Sequence, residues 1–157
     1  MQLSGTEPLN DAHRPDTFDC GKPALNAWLH SFARNNQALD FTRVMVVHNA
    51  GNVIGYYGVA PSVIQPNSAP RTIRTGPPPD PIPCLLIDQL AVGLNYTSQD
   101  IGGALVKDAL QRCVRGADTI GGRAIIVPPV DADAERYWKS WGFVASRDNP
   151  SILMRSM

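Results

Sequence analysis

The chain has no excess of charge and no long hydrophobic run. Fourteen Lys and Arg balance fourteen Asp and Glu among 157 residues, so the formal net charge is zero. A neutral chain exerts no global attraction on nucleic acid or on an anionic membrane, so an RNA site would have to be a local patch. No apolar run approaches the ~20 residues of a membrane span, and the first residues do not resemble a signal peptide. We therefore expect a cytoplasmic protein without a membrane partner.

Cysteine and histidine are also scarce. The chain has three of each, namely Cys20, Cys84, Cys113, His13, His30 and His48. An odd, scattered set of cysteines argues against a disulfide framework, and no pair has the spacing of metal ligands. The histidines are far apart in sequence, which favours ordinary surface or partly buried side chains. We predict no metal site.

The apolar pattern that is present predicts alternating helices and strands in a single domain, residues 1–157. The predicted elements are a helix over 22–39, a hairpin with strands at 44–47 and 53–60, a strand over 84–92, a helix over 101–118, a strand near 123–129, a helix over 131–143 and a closing strand near 150–157. Eight prolines from Pro61 to Pro83 exclude a helix and a central strand there, which leaves an ordered loop or short edge segments around Val63 and Ile73. Gly116 and Gly142 are the predicted helix stops. The fold class is α/β (α+β), a mixed central sheet with helices on both faces.

Several short motifs follow one another in an order that resembles the GNAT acyltransferases, and among them the GNAT toxins of bacterial toxin–antitoxin pairs. They are "FDCG" at Phe18–Gly21, "LNAWL" at Leu25–Leu29, "TRVMVV" at 42–47, "GYYGVA" at 55–60, "LAV" at 90–92, "LVKDAL" at 105–110, "DADA" at 131–134 and "GF" at 142–143. Each motif alone is weak, but the ordered set extends from about residue 8 to the C-terminus. The resemblance implies a V-shaped groove between the strands that contain "LAV" and "RAIIV".

The resemblance also implies a function. Toxins of this family transfer acetyl from acetyl-CoA to the α-amine of an aminoacyl-tRNA, which stops translation, and a ribbon-helix-helix antitoxin restrains them. Many are dimers, which is the only basis for expecting a homodimer here. A tRNA would need a local basic patch, for which Arg34, Arg43, Arg71 and Arg74 are candidates.

Two segments should hold the acetyl-CoA. The backbone of Leu90, Ala91 and Val92 should pair with the pantetheine arm in the manner of an added strand. The pyrophosphate should lie on amides at a helix N-terminus, in the segment Ser98, Gln99, Asp100, Ile101, Gly102 and Gly103.

The family's phosphate-binding motif can be aligned with this turn in two ways. The family motif Gln/Arg-x-x-Gly-x-Gly/Ala fits "QDIGGA" at 99–104, but counting back from "LVKDAL" places it on "TSQDIG" at 97–102. In the second register Asp100 replaces a glycine and brings a carboxylate close to the pyrophosphate. The alternative for Asp100 is a plain helix cap.

The general acid that reprotonates the CoA thiolate is a tyrosine in the family. Counting back from Gly142 of "GF", its expected position holds Trp138, and the preceding residue is Tyr137. An indole N–H does not titrate usefully, so Trp138 reads more readily as a wall of the groove. Tyr137 is displaced by roughly 100° around a helix.

These departures leave three functions in competition. The first is an acetyl-CoA-dependent N-acetyltransferase toxin that modifies aminoacyl-tRNA. The second is a catalytically impaired or inactive GNAT-fold protein that acts by binding an antitoxin, another subunit or RNA. The third is an N-acetyltransferase of small molecules, which the toxin-type motifs disfavour.

Overall fold

The computed structural model describes residues 3–157. The strands are β1 (Glu7–Pro8), β2 (Arg43–Asn49), β3 (Asn52–Ile64), β4 (Ile82–Val92), β5 (Ala124–Val127), β6 (Val144–Ala145) and β7 (Leu153–Ser156). The α-helices are α1 (Pro23–Ser31), α2 (Ala33–Ala38), α3 (Arg71–Arg74), α4 (Ile101–Ile120) and α5 (Ala132–Ser140). The strands form a mixed sheet in the order β1-β2-β3-β4-β5-β7-β6. The predicted fold class is thereby confirmed.

The chain groups into two compact units. One contains the chain up to Val59 together with Gln89–Leu110, and the other contains Ala60–Asp88 and Gln111–Met157. The prediction of a single domain over 1–157 stays a prediction. Among residues 3–157, no helix is long and apolar enough to cross a bilayer.

The first unit has its core between α1 and the β1–β2–β3 meander. β2 and β3 form the predicted antiparallel hairpin, with Arg43 opposite Val59 and Asn49 opposite Asn52. Ala50 and Gly51 make the turn with positive φ angles of 50° and 90°, which suits a tight hairpin.

The second unit is built around β5. It pairs in parallel with β4, through Leu85 with Ile125 and Leu86 with Ile126, and antiparallel with β7. This pairing uses two residues of an eleven-residue β4. The V-shaped groove inferred from the resemblance stays a prediction.

Several predicted boundaries were wrong. The helix expected over 22–39 breaks at Phe32 into α1 and α2. Within α2, the Gln37 amide donates to the Leu9 carbonyl and accepts the Val44 N–H, each at 2.8 Å. These polar contacts lie outside the helix, one of them with a residue 28 positions away, so the local apolar pattern could not reveal them.

The proline-rich segment is more regular than predicted. β3 continues through Pro61, which lies beyond Val59, the last β3 residue that pairs with β2. Residues 71–74 form α3 even though prolines were taken to exclude a helix. The reason is that Pro70 precedes this helix, where a missing N–H costs nothing.

The two predicted glycine stops had opposite outcomes. Gly142 adopts a φ of 89° just after α5, and the Asp131 carboxylate caps this helix by accepting the Ala134 N–H at 2.8 Å. Gly116, in contrast, lies inside α4, which ends at Ile120 before Gly121 with a φ of 90°. A Cβ at Gly116 would lie 3.4 Å from the Leu85 side chain, so this glycine marks close packing instead of a helix end.

Candidate functional site

The strand end predicted to hold pantetheine lies at the end of β4. Leu90 and Val92 are half-buried and Ala91 is buried. The β4 partners of β5 are Leu85 and Leu86, so Leu90–Val92 lie four to six positions beyond the last of them. Backbone groups at the end of such a strand suit pairing with an extended ligand.

A short segment then connects β4 to α4 and is held at its start by two backbone hydrogen bonds. The Gly93 N–H donates to the Ile54 carbonyl at 2.8 Å, and the Leu94 N–H donates to the Asp19 carbonyl at 2.9 Å. Asp19 belongs to the "FDCG" motif, whose fold is therefore part of the support for this segment. A 3₁₀ helix, Leu94–Gln99, leads to Asp100.

The residues Ser98–Gly103 end this connection and begin α4. Asp100 has φ 59° and ψ 23°, and α4 begins at Ile101. The first hydrogen bond of the helix runs from the Ala104 N–H to the Asp100 carbonyl at 3.3 Å. The amides of Ile101, Gly102 and Gly103 precede that bond, so they belong to the first turn of the helix, which carries its positive dipole end.

The Asp100 backbone distinguishes between the earlier readings of this residue. An N-cap residue normally has extended backbone angles and a side chain that accepts a helix amide. Asp100 has the left-handed conformation instead, and its carboxylate makes no hydrogen bond to the rest of residues 3–157. The interpretation of Asp100 as a plain side-chain cap is therefore wrong. Left-handed angles are those that glycine adopts at least cost.

The two candidate acids lie side by side on α5. Trp138 is only 5% exposed and packs edge-to-face on Phe143, with ring centroids 5.2 Å apart. Tyr137 is 39% exposed, and its ring lies edge-to-face with those of Trp138 and Trp141, the ring centroids being 6.2 and 6.4 Å apart. Of the two side chains, the phenol is the one that an incoming molecule can reach. Both belong to the second unit, whereas Leu90–Val92 and Ser98–Gly103 belong to the first.

The four arginines proposed as a basic patch differ in the hydrogen bonds and ion pairs that they make within the protein. Arg34 donates to the carbonyls of Asn10 and His13, and Arg43 pairs with Asp40 at 3.1 Å. Arg71 and Arg74 lie on α3 in the second unit, and the Arg74 Nε is buried without a hydrogen-bond partner. Arg71 is exposed and Arg74 is half-buried, so of the two arginines on α3 it is Arg71 whose side chain lies at the surface.

Sequence reasoning missed a cluster formed by Glu7, His13 and His48. Each histidine Nε2 lies 2.7 Å from the same Glu7 Oε1, and the two rings lie 4.9 Å apart. These hydrogen bonds lower the pKa of the Glu7 carboxyl, that of His13 contributing most. The expectation of a surface or partly buried side chain fits His48 but not His13, which is only 3% exposed, and the β1–β2 pairing and the β2–β3 turn bring the two histidines together.

The three ligand atoms of this cluster lie within 4.8 Å of one another, as in a metal site. Backbone N–H groups of Asn10 and Gly51, however, donate to the Nδ1 atoms of His13 and His48, each at 2.9 Å. The ring protons must therefore lie on Nε2, where they face Glu7. A metal at Nε2 would displace that proton while Nδ1 remained an acceptor, which a neutral imidazole cannot provide. The donor set therefore fits a hydrogen-bonded cluster better than a metal centre.

Comparisons with known proteins agree with this geometry. No protein-family model matches the chain. A tRNA-acetylating toxin from Mycobacterium tuberculosis (strain ATCC 25618 / H37Rv) is 32% identical over 154 residues, covering 98% of this chain and 92% of the relative. A probable toxin TacT from Sinorhizobium fredii (strain NBRC 101917 / NGR234) is 31% identical over 119 residues, covering 73% of this chain and 66% of the relative.

Solved structures of similar fold include AtaT complexed with acetyl-methionyl-tRNAfMet. Its TM-score is 0.89 at 23% identity, with 99% of this chain and 95% of that chain covered. A mutant AtaT bound to the C-terminus of the antitoxin AtaR and acetyl-CoA has a TM-score of 0.82 at 23% identity, with 98% and 92% covered. At these identities the likeness establishes the fold.

Proposed function

The chain belongs to the tRNA-acetylating toxins of the GNAT fold, and we propose that it transfers the acetyl group of acetyl-CoA to the α-amine of an aminoacyl-tRNA. The observation on which the proposal rests is the 32% identity with a tRNA-acetylating toxin across 98% of the chain. In the reaction the amine nitrogen bonds to the acetyl carbon, the carbon–sulfur bond breaks, the amine loses a proton and the CoA thiolate gains one. The acetylated amine can no longer accept a peptide, so translation stops.

The first unit supplies the residues for acetyl-CoA. Leu90–Val92 offer strand backbone to the pantetheine arm, and the amides of Ile101, Gly102 and Gly103 offer donors to the pyrophosphate. The left-handed angles of Asp100 favour the register in which this residue stands where the family has its first glycine. Ser98 and Gln99, both exposed just before it, flank the phosphates in this arrangement.

The second unit supplies the acid. Trp138 is buried against Phe143 and carries no titratable proton, whereas the neighbouring Tyr137 is 39% exposed. We assign protonation of the thiolate to Tyr137 and a structural role to Trp138. Replacing Tyr137 by Phe should then lower kcat by 10² or more while acetyl-CoA still binds.

The partners follow from the same family. AtaT has been solved with its antitoxin AtaR, and we propose that a ribbon-helix-helix antitoxin holds this chain in check in the cytoplasm. We also propose a homodimer. Sedimentation of the chain alone tests the homodimer, and co-purification with a candidate ribbon-helix-helix protein tests the antitoxin.

A direct assay tests the activity. The purified chain is incubated with acetyl-CoA and a mixture of charged tRNAs, and ribonuclease digestion releases aminoacyl-adenosines for mass spectrometry. The expected product is an aminoacyl-adenosine heavier by one acetyl group. A companion experiment expresses the chain in a bacterium, where growth should stop and should recover when the antitoxin is expressed too. Absence of acetylated product from every charged tRNA would contradict the proposal.

A second candidate function is a GNAT-fold binding protein with impaired catalysis. The observation that favours it is the buried indole of Trp138 at the family's tyrosine position. Calorimetric titration with acetyl-CoA separates the two functions. A protein that has lost the enzymatic function would bind its protein partner but give no heat of binding with acetyl-CoA.

A further inference from the structure

β3 presents two different faces to two helices of the first unit. Tyr56 points to α1, where its hydroxyl donates to the Leu25 carbonyl at 2.6 Å and its ring stacks on Trp28. Tyr57, the next residue, donates its hydroxyl to the Asp108 carboxylate of α4. Successive strand residues point to opposite faces, so the adjacent tyrosines bond to different helices.

Gly55 lies on the same face of β3 as Tyr57 and brings α4 very close to the strand. A Cβ at Gly55 would lie 3.1 Å from Leu105 Cδ1 and 3.4 Å from Ile101 Cγ2. The first two turns of α4 therefore lie directly over Gly55, where no side chain separates helix from strand.

These contacts follow one stripe of α4. Ile101, Leu105 and Asp108 are spaced i, i+4 and i+7, which is a single helical face. Gly55 receives the first two and Tyr57 the third, so contacts with two strand residues on one face align nearly two turns of helix.

We propose that Tyr57 and Asp108 are positioning residues for acetyl-CoA, because their hydrogen bond sets where α4 lies along β3. The amides of Ile101, Gly102 and Gly103 begin the same rigid helix, two turns before Asp108. A hydrophobic contact alone lets a helix slide, whereas a buried hydroxyl bonded to a carboxylate has one preferred position. This role rests on the proposed cofactor site, and both residues would act on it through α4, from about two turns beyond the amides that meet the pyrophosphate.

The chain offers a matched control for this role. Tyr56 and Tyr57 are both fully buried in β3, and each hydroxyl donates a hydrogen bond to a helix of the same unit. Tyr57→Phe removes the bond to α4, and Tyr56→Phe removes the bond to α1. Both variants should lose stability, so a loss of stability by itself does not support the proposal.

The experiment measures the dissociation constant of acetyl-CoA by calorimetry for the full chain and both variants. Tyr57→Phe should weaken acetyl-CoA binding roughly five- to tenfold, the loss expected when the amides of Ile101, Gly102 and Gly103 no longer align with the pyrophosphate. The kcat at saturating acetyl-CoA should change little. Tyr56→Phe should leave the dissociation constant within about twofold. Asp108→Asn, whose amide oxygen still accepts the Tyr57 hydroxyl, should retain most of the affinity, and Asp108→Ala should match Tyr57→Phe. Equal affinities in the two tyrosine variants would overturn the proposal.

A second measurement does not need the cofactor. Amide hydrogen exchange at Ala104 and Leu105, the first amides bonded within α4, should be faster in Tyr57→Phe than in Tyr56→Phe after correction for global stability. If acetyl-CoA fails to bind even the unmodified chain, the proposed function is wrong, and this exchange comparison still decides the positioning role. Exchange that is the same in both variants refutes it.

Discussion

Replacing Asp100 by glycine alters both unusual features of the turn before α4. This residue has left-handed backbone angles, φ 59° and ψ 23°, and it carries a carboxylate next to the amides proposed to bind pyrophosphate. Glycine accepts the same angles without a Cβ and brings no charge. We predict tighter binding of acetyl-CoA with little change in the stability of the fold.

The magnitudes separate the two effects. A non-glycine residue in the left-handed region costs on the order of 1 kcal/mol, and glycine gives back about 0.4–1 kcal/mol through the entropy of the unfolded chain. The free energy of unfolding should therefore change by no more than about 0.5 kcal/mol. A carboxylate about 6 Å from a phosphate charge, at an effective dielectric constant of about 50, repels it by about 1 kcal/mol. Removing that repulsion should tighten binding roughly fivefold.

Calorimetric titration with acetyl-CoA measures the gain, and two further variants identify its cause. Asp100→Asn removes the charge while keeping a residue that tolerates left-handed angles, so it should show most of the gain. Asp40→Gly is the control, since Asp40 also has a positive φ, 65°, but pairs with Arg43 after α2. It should leave the affinity unchanged.

Salt gives an independent check on the charge. The screening length falls from about 8 Å at physiological ionic strength to about 3 Å at 1 M, so the advantage of Asp100→Gly should shrink in high salt. An unchanged or weaker affinity for Asp100→Gly would show that the carboxylate does not face the pyrophosphate. A gain in Asp100→Gly that Asp100→Asn does not share would assign the effect to the backbone.

Three further predictions concern the acid, the pH dependence and the thiols. Because Tyr137 supplies the proton in our assignment, Trp138→Tyr should bind acetyl-CoA normally and show no gain in kcat, and a higher kcat would show that the acid belongs at position 138. The pKa of Glu7 is lowered from its ordinary value of 4.5, so its ionised carboxylate stabilises the fold at any pH above 4.5. This stabilisation should be lost as the pH falls below 4.5 and through the lower pKa of the folded state. Glu7→Gln should therefore make the free energy of unfolding in urea depend less on pH over that acid range. Burial raises the pKa of Cys113 to about 11, so iodoacetamide at pH 8 should alkylate half-buried Cys20 first, as peptide mass mapping would show.

Local patterns in the sequence predicted those elements whose signals are local. The β2–β3 hairpin follows from two apolar runs around "NAGN", and α5 follows from Asp131 at its start and Gly142 after its end. Caps and turns depend on residues within a few positions of one another, so a single sequence contains the information they need.

The site could be predicted only in part for the same reason. The segments around Leu90–Val92 and Gln99–Gly103 were proposed from short motifs, and their role in binding acetyl-CoA stays a prediction. The left-handed angles of Asp100 could not be read from its identity. Aspartate is common both as a helix cap and in left-handed turns. The bonds from Gly93 and Leu94 to other segments decide how the chain enters α4.

The sequence by itself determined the order of the main helices and strands and the family, because apolar periodicity and ordered motifs can be read without knowledge of contacts. It did not predict β1, α3 or β6. Only the tertiary structure decided which residues act together. Adjacent tyrosines in "GYYGVA" look equivalent in sequence, yet Tyr56 bonds to α1 and Tyr57 to Asp108 of α4. Likewise Glu7 and His48 are 41 positions apart and share a hydrogen bond. Such partners are selected by strand pairing and by which face of the sheet each helix covers, and those choices minimise the free energy of the whole chain rather than of any local segment.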